Sequence, residues 1–260
     1  MGDLRKVLLT GADGVIGGII RSRLATTYTF SYLTRHRSDR ANYVGDISDL
    51  DSIRPAFEGM DAVVHLAAAS SVEAAWKDVL ADNIVGTYNV FEAARLASVK
   101  RVVFASSTHA VGMYEIEGAP GIYALDDARV YDESAPMRPD SLYGASKLFG
   151  EAIGRMYADR YGMDVICLRI GHVREDDDPA QVTSGRPFEP LPMLTAEQVR
   201  QRLRALWLSH RDCAQLVRRA LDADVHWAVV FGTSKNPRRL WDLDTARELI
   251  GFQPDDAAPR

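Results

Sequence analysis

The strongest constraint on this chain lies close to its start, where the apolar run Lys6 to Thr10 leads directly into Gly11-Ala12-Asp13-Gly14-Val15-Ile16-Gly17 and then into a helix-compatible stretch, Gly18 to Leu24. A buried strand, a glycine turn and a helix in that order form the opening of a βαβ unit. Glycine at these three positions permits a tight turn, lets backbone approach a bound group, and lets the helix pack closely on the sheet. The helix N-terminus then aims unsatisfied N–H groups at whatever occupies the turn, which suits an anion such as a pyrophosphate. Gly11, Asp13, Gly14, Val15, Ile16 and Gly17 are therefore expected to cradle a dinucleotide, against the plainer reading of an ordinary strand-to-helix turn.

Further short apolar runs bounded by turn residues read as strands: Phe30 to Thr34, Ala62 to Leu66, Arg101 to Ser106, Val165 to Ile170 and, late, Ala228 to Phe231. Between them, apolar residues recur at helical spacing, notably in Thr87 to Ala97 and Ser146 to Tyr161. Alternation of this kind predicts an α/β fold with a doubly wound parallel sheet, the Rossmann fold. Residues 1–170 are expected to form the dinucleotide-binding part, and residues 171–260 a small substrate-binding region packed on it as one unit. Two stretches interrupt the pattern, Tyr114 to Asp140 and Val173 to Pro192, and both read as surface loops near the site. The four acids Glu175 to Asp178 read as solvated rather than metal-binding, and a single long amphipathic helix is expected within Leu194 to Asp222.

Composition narrows the partner. Thirty-six acids against 31 lysines and arginines leave a net charge of −5, with no basic footprint for nucleic acid or an anionic membrane. Two cysteines are too few for a disulfide framework or a four-ligand zinc site, and no apolar run reaches membrane-spanning length. A cytoplasmic protein acting on a small molecule, without a metal, is the expectation.

At the end of the second strand, Leu33-Thr34-Arg35-His36-Arg37 holds no acid for the adenosine ribose hydroxyls. Arg35 and Arg37 offer forked donors suited to a 2′-phosphate instead, so NADP is favoured over NAD, the alternative being two solvated arginines. The acid–apolar pair Asp46-Ile47 is placed to flank an adenine. Farther on, Tyr143 and Lys147 stand four apart at the start of a helix and so share one face. A phenol is mostly protonated at neutral pH, but a neighbouring ammonium and a cationic nicotinamide would both lower its pKa into working range. Ser107 lies in the strand-end segment Val102 to His109, and the carboxyl end of such a central strand faces the ligand crevice, so its hydroxyl could orient a reacting oxygen toward Tyr143. The plainer reading of Ser106 is a satisfied backbone contact, and His109 is read as either a loop hydrogen-bonder or a substrate donor.

Taken together, the glycine turn, His65-Leu66-Ala67-Ala68, Asn83-Ile84-Val85-Gly86-Thr87-Tyr88-Asn89-Val90, the Ser107 segment and Tyr143-xxx-Lys147 resemble the extended short-chain dehydrogenase/reductase superfamily, in its NAD-dependent epimerase/dehydratase branch. Within it, Phe104 to Gly112, Arg138 to Gly144, Leu168 to Gly171 and Trp207 to Asp212 are most similar to the short uronate dehydrogenases and the haloarchaeal sugar-phosphate dehydrogenases. The resemblance implies oxidation of the anomeric carbon of a sugar acid or sugar phosphate to a lactone. It gives catalytic roles to Ser107, Tyr143 and Lys147, with Asn83 positioning the lysine directly or through water. Leu66, Ala67 and Ala68 fall to the cofactor, Ser70 and His109 to the substrate, and Arg202 to the substrate's anionic group. A homodimer built on the helices Ala81 to Ala97 and Ser146 to Tyr161 is also implied. The chain departs from the family at Thr108, where an asparagine touches substrate, at His172, which replaces a small residue, and at the missing cofactor acid. Two other readings stay open: an epimerase or dehydratase that recycles a tightly held cofactor, and a non-catalytic dinucleotide sensor.

Overall fold

The computed structural model describes residues 5–37, 41–180 and 187–259. Seven strands form one parallel sheet: β1 (Lys6–Thr10), β2 (Thr29–Thr34), β3 (Tyr43–Val44), β4 (Ala62–His65), β5 (Arg101–Ser107), β6 (Asp164–Ile170) and β7 (Trp227–Gly232). Their order is β3-β2-β1-β4-β5-β6-β7, so the chain starts in the middle and winds outward in both directions, as the alternation of apolar runs predicts. The helices are α1 (Val15–Leu24), α2 (Leu50–Ile53), α3 (Trp76–Asp78), α4 (Gly86–Leu96), α5 (Met113–Gly118), α6 (Leu142–Tyr161), α7 (Ala196–Leu206), α8 (His210–Asp222) and α9 (Asp244–Ile250).

Strand side chains alternate between two apolar cores because successive residues point to opposite faces. Val7, Leu9, Val64, Val103 and Ile166 meet Ile20 of α1 and Leu216 and Val217 of α8, while Leu8, Val63, Val102, Phe104 and Val165 meet Val90 and Phe91 of α4 and Tyr157 of α6. Parallel register aligns Thr10 with His65 and His65 with Phe104, leaving β5 to run on to Ser107 opposite Ile170. The reversal in strand order between β1 and β4 opens a crevice at the strand carboxyl ends, the usual ligand site of such sheets.

Three sequence expectations require adjustment. The single helix expected within Leu194 to Asp222 is two, because Trp207 takes an extended conformation and Ser209 caps α8 by accepting from the Asp212 amide. Thr195 and Gln198 close a reciprocal capping box at the start of α7, so both helices carry their own start signals. The stretch Tyr114 to Asp140 is not simply a surface loop: α5 and a 3₁₀ turn at Gly121–Tyr123 bury Glu115, Ile122 and Tyr123. Finally, α6 begins four residues before Ser146, because Ser141 accepts a hydrogen bond from the Gly144 amide and sets the N-terminus there. No described helix is long and apolar enough to cross a membrane.

Candidate active site

A cleft of about 820 Å³ lies at the carboxyl ends of the central strands. One end is the glycine turn. Gly11 sits at φ +70°, and a Cβ there would come within 2.7 Å of the Ala67 amide nitrogen; a Cβ on Gly17 would lie 2.6 Å from the Gly11 carbonyl oxygen. Only glycine fits either place, and the result is bare backbone beneath the N-terminus of α1. A dinucleotide's pyrophosphate fits this cradle, which Gly11, Gly14, Val15, Ile16 and Gly17 line together with Leu66 and Ala68 of the turn after β4.

That second turn is pinned from below. Thr10 Oγ1 and His65 Nδ1 are 2.8 Å apart, the same hydroxyl accepts from the Ala67 amide, and His65 Nε2 lies 3.3 Å from Thr87 Oγ1. Full burial, and secondarily the charge of Lys147, push the His65 pKa down to about 3. The imidazole is therefore a neutral brace between β1, β4 and α4.

The other end of the cleft is built on β5 and the N-terminus of α6. Ser107, Thr108 and His109 line it from the strand end, and Tyr143 and Lys147 from one helix face. Lys147 Nζ donates to the Ala105 carbonyl at 2.8 Å and lies over the Tyr143 ring, 5.3 Å from its centroid. Its burial lowers the ammonium pKa to about 8. The tyrosine departs from expectation: its pKa is raised. Burial dominates, Asp140 adds to it, and the Ser107 hydroxyl opposes both. Lys147, whose ammonium is committed to the Ala105 carbonyl, is not among the groups that shift the phenol.

Asn83 lies under this cluster, in a π-helical segment, Val79–Val85, that precedes α4. Its Oδ1 accepts from the Ala69 amide at 2.7 Å, and its Nδ2 donates to the Ala69 carbonyl and to Ser146 Oγ. The serine in turn donates to the Tyr143 carbonyl at 2.7 Å. Asn83 thus acts on the backbone that carries Tyr143 and Lys147, and its own hydrogen bonds go to Ala69 and Ser146. Ser106, also in the lining, donates its hydroxyl to Glu151, which Arg169 holds through two 2.9 Å hydrogen bonds. This buried group ties β5, α6 and β6 together and commits the Ser106 hydroxyl, so that of the two strand-end serines it is Ser107 whose hydroxyl is not bound to Glu151.

Of the residues singled out from sequence, the structure gathers the three glycines, Val15, Ile16, Leu66, Ala68, Ser70, Ser107, Thr108, His109, Tyr143, Lys147, His172 and Arg202 around one cleft. Asp13, Arg35, Arg37, Asp46, Ile47, Ala67 and Asn83 stand outside its lining. Arg35 is paired with Asp82, and its Nε lies 3.5 Å from Asp46. Arg37 is exposed at the end of β2. The Asp46 pKa is lowered by hydrogen bonds from the Ser48 amide and hydroxyl, with a smaller contribution from Arg35. Ile47 packs under Gly86, where any added Cβ would meet its Cδ1 at 2.6 Å.

Sequence reasoning missed two acids. Asp140 receives His109 Nδ1 at 2.6 Å and fixes the imidazole edge-on to Tyr143. Its place directly before the helix-capping Ser141 was the available signal. Glu115 accepts from Arg202 Nε at 2.6 Å, and no local pattern marks that contact across 87 residues. His172, wedged beside Arg202 and Arg174, has its pKa lowered to about 4, mainly by burial.

The profile of the NAD dependent epimerase/dehydratase family matches residues 7–175. The chain is 40% identical to L-arabinose 1-dehydrogenase (NAD(P)(+)) of Haloferax volcanii, over 97% of each protein. It is 35% identical to the NAD-dependent glucose-6-phosphate dehydrogenase of the same organism, over 96% of this chain and 93% of that protein. Its fold superposes on the crystal structure of uronate dehydrogenase from Agrobacterium tumefaciens with a TM-score of 0.79, at 31% identity, over 98% of this chain and 85% of that one.

Proposed function

Since the chain belongs to the NAD-dependent epimerase/dehydratase family, we propose that it is an NAD(P)-dependent dehydrogenase that oxidises the anomeric carbon of a small sugar or sugar derivative to a lactone. Its relatives named for L-arabinose, glucose 6-phosphate and uronates all match nearly the whole chain, and they define the substrate class: an aldose, with or without an acid or phosphate group. The observation that carries the reading is the convergence of Ser107, Tyr143 and Lys147 on the far end of a cleft that starts at the glycine cradle.

The dinucleotide, when bound, supplies the hydride acceptor. Ser107 presents its hydroxyl to the substrate oxygen and, through the same hydroxyl, favours the ionised form of Tyr143. Tyr143 takes the proton of the anomeric hydroxyl as the carbon is oxidised. Lys147, at the base of the cleft, is placed for the nicotinamide ribose, with Asn83 holding the helix turn from which it projects. Ser70, Thr108, His109 and His172 surround the substrate, and His109 offers its outer nitrogen while Asp140 holds the inner one. Residues 171–260 supply the substrate side of the cleft through His172 and Arg202.

The finer cofactor preference rests on Arg35 and Arg37. Arg35 must leave Asp82 and Asp46 to reach a 2′-phosphate, so the preference for NADP that the two confer is a modest one. Exposed Leu80, Tyr88 and Leu96 near or on α4, with Met156 and Tyr161 on α6, form the face on which a homodimer is proposed. The buried, unpaired thiols Cys167 and Cys213 suit the reducing cytoplasm.

The test is Tyr143→Phe. Burial holds the phenol protonated, so sugar oxidation by the wild-type protein is expected to accelerate as pH rises. The variant should lose at least about 10²-fold in kcat, the lower range for removing a general base, while binding NAD(P)H unchanged by fluorescence titration. Retention of full turnover would refute the assignment.

A further inference from the structure

Both arginines that line the substrate end of the cleft already hold carboxylates. Arg202 is buried, and its Nε donates to Glu115 Oε1 at 2.6 Å; Tyr123, also buried, donates to the same oxygen at 2.8 Å. Arg174, beside it, is held by Asp176 through hydrogen bonds of 2.9 and 2.8 Å. The Arg202 guanidinium lies against the Phe188 ring, 5.4 Å from its centroid, with His172 close by and kept neutral by burial. Among the described residues, the two arginines at the substrate end of the cleft therefore offer N–H groups but no uncompensated charge, and the ammonium of Lys147 lies apart from them, on the Ala105 carbonyl.

A sugar carboxylate or phosphate entering this space would have to be desolvated next to Glu115, at a site whose cation is already neutralised. Like charges brought together at low dielectric repel strongly, and burying an anion without a free counter-charge is costly. A neutral polyol meets no such penalty, because paired guanidinium N–H groups and carboxylate lone pairs still exchange hydrogen bonds with hydroxyls. We infer that Glu115 is a specificity-determining residue that neutralises Arg202, so that the site takes a neutral aldose in preference to a uronate or a sugar phosphate. This inference rests on the dehydrogenase reading above and selects within its substrate class. Glu115 reaches Arg202 from α5, which follows the strand end that carries Ser107 after one 3₁₀ turn at Thr108–Val111, so the segment that presents the reacting oxygen also sets the charge of the arginine in the lining. Glu115 is a positioning residue in this scheme, since it acts through the charge of Arg202.

The experiment compares wild type with Glu115→Gln, which keeps an acceptor oxygen for Arg202 and Tyr123 while removing the charge. Formation of NAD(P)H is followed with L-arabinose, D-glucuronate and glucose 6-phosphate, and binding of each sugar to the NADH-loaded protein is measured by calorimetry. Wild type should favour L-arabinose over both anions by at least tenfold in kcat/KM. In the variant the ratio should shift toward the anions by at least tenfold, through KM and binding, with kcat for L-arabinose within a factor of a few. A purely structural role for Glu115 would instead lower kcat for all three sugars together and leave their ratio unchanged, and that result overturns the proposal. So does a wild-type preference for either anion, which needs no variant and is readable even where Glu115→Gln does not fold. Absence of turnover with every sugar would refute the dehydrogenase reading by itself, and the calorimetric preference would still decide the role of Glu115.

Discussion

His65 supplies a sharp test of how the cleft is held open. The ring is buried, braced between Thr10 and Thr87, and its pKa is pushed from 6.5 down to about 3 by burial and by Lys147. In the unfolded chain it titrates near 6.5, so between that value and about 3 the unfolded state binds the extra proton and the folded state does not. The folded pKa of this base is depressed, so stability is present above pH 6.5 and falls as pH drops through the window. Lowering the pH from 7 to 5 removes about 2 kcal/mol through this single group, at about 1.4 kcal/mol per unit below the unfolded pKa. The measurement is urea unfolding of wild type and His65→Asn at pH 7 and pH 5. His172 and the carboxylates titrate in both proteins, so the difference between their pH slopes isolates His65. Wild type should lose about 2 kcal/mol more than the variant across that interval. The variant should also begin less stable at pH 7, because Thr10 loses a buried partner, a cost of about 1–3 kcal/mol. Equal losses in the two proteins would refute the account of His65 as a neutral brace.

Two further outcomes follow from charge and surface. Arg35→Ala with Arg37→Ala should weaken NADPH by about tenfold, near 1.4 kcal/mol, and leave NADH within a factor of two or so, as read by fluorescence titration; equal effects on both nucleotides would remove the two arginines from the phosphate. Leu80→Glu with Tyr88→Glu should convert a dimer into a monomer in sedimentation velocity, since two carboxylates would then be buried at the proposed face without partners; an unchanged sedimentation coefficient would place any dimer elsewhere.

The sheet was legible in the sequence because nearly every strand is a short apolar run flanked by turn residues, and β1, β4, β5 and β6 lie within a residue of their expected ends. The placement of the glycine turn, Tyr143 and Lys147 around one cleft was legible for a related reason: it depends on local spacing, which a helix or a tight turn converts directly into geometry. Sequence periodicity failed where capping overrides it. Ser209 restarts a helix that the apolar pattern alone would run straight through. Charge was the least legible property of all. The acidity expected of Tyr143 required knowing which way Lys147 points, and the state of Arg202 required knowing that Glu115 meets it across 87 residues. Both are matters of tertiary packing, and neither leaves a trace at the spacing of a helix or a strand.

The wide turn that holds Asn83 makes the aim of this one amide depend on the local length of the chain. A π-helical segment accommodates one more residue than regular winding would, and the surplus is what swings the amide toward Ala69 and Ser146. Deleting a single position between 79 and 85 would let the coil return to regular winding, which keeps the later side chains of α4 on their faces but takes from Asn83 the offset that aims it at Ala69 and Ser146.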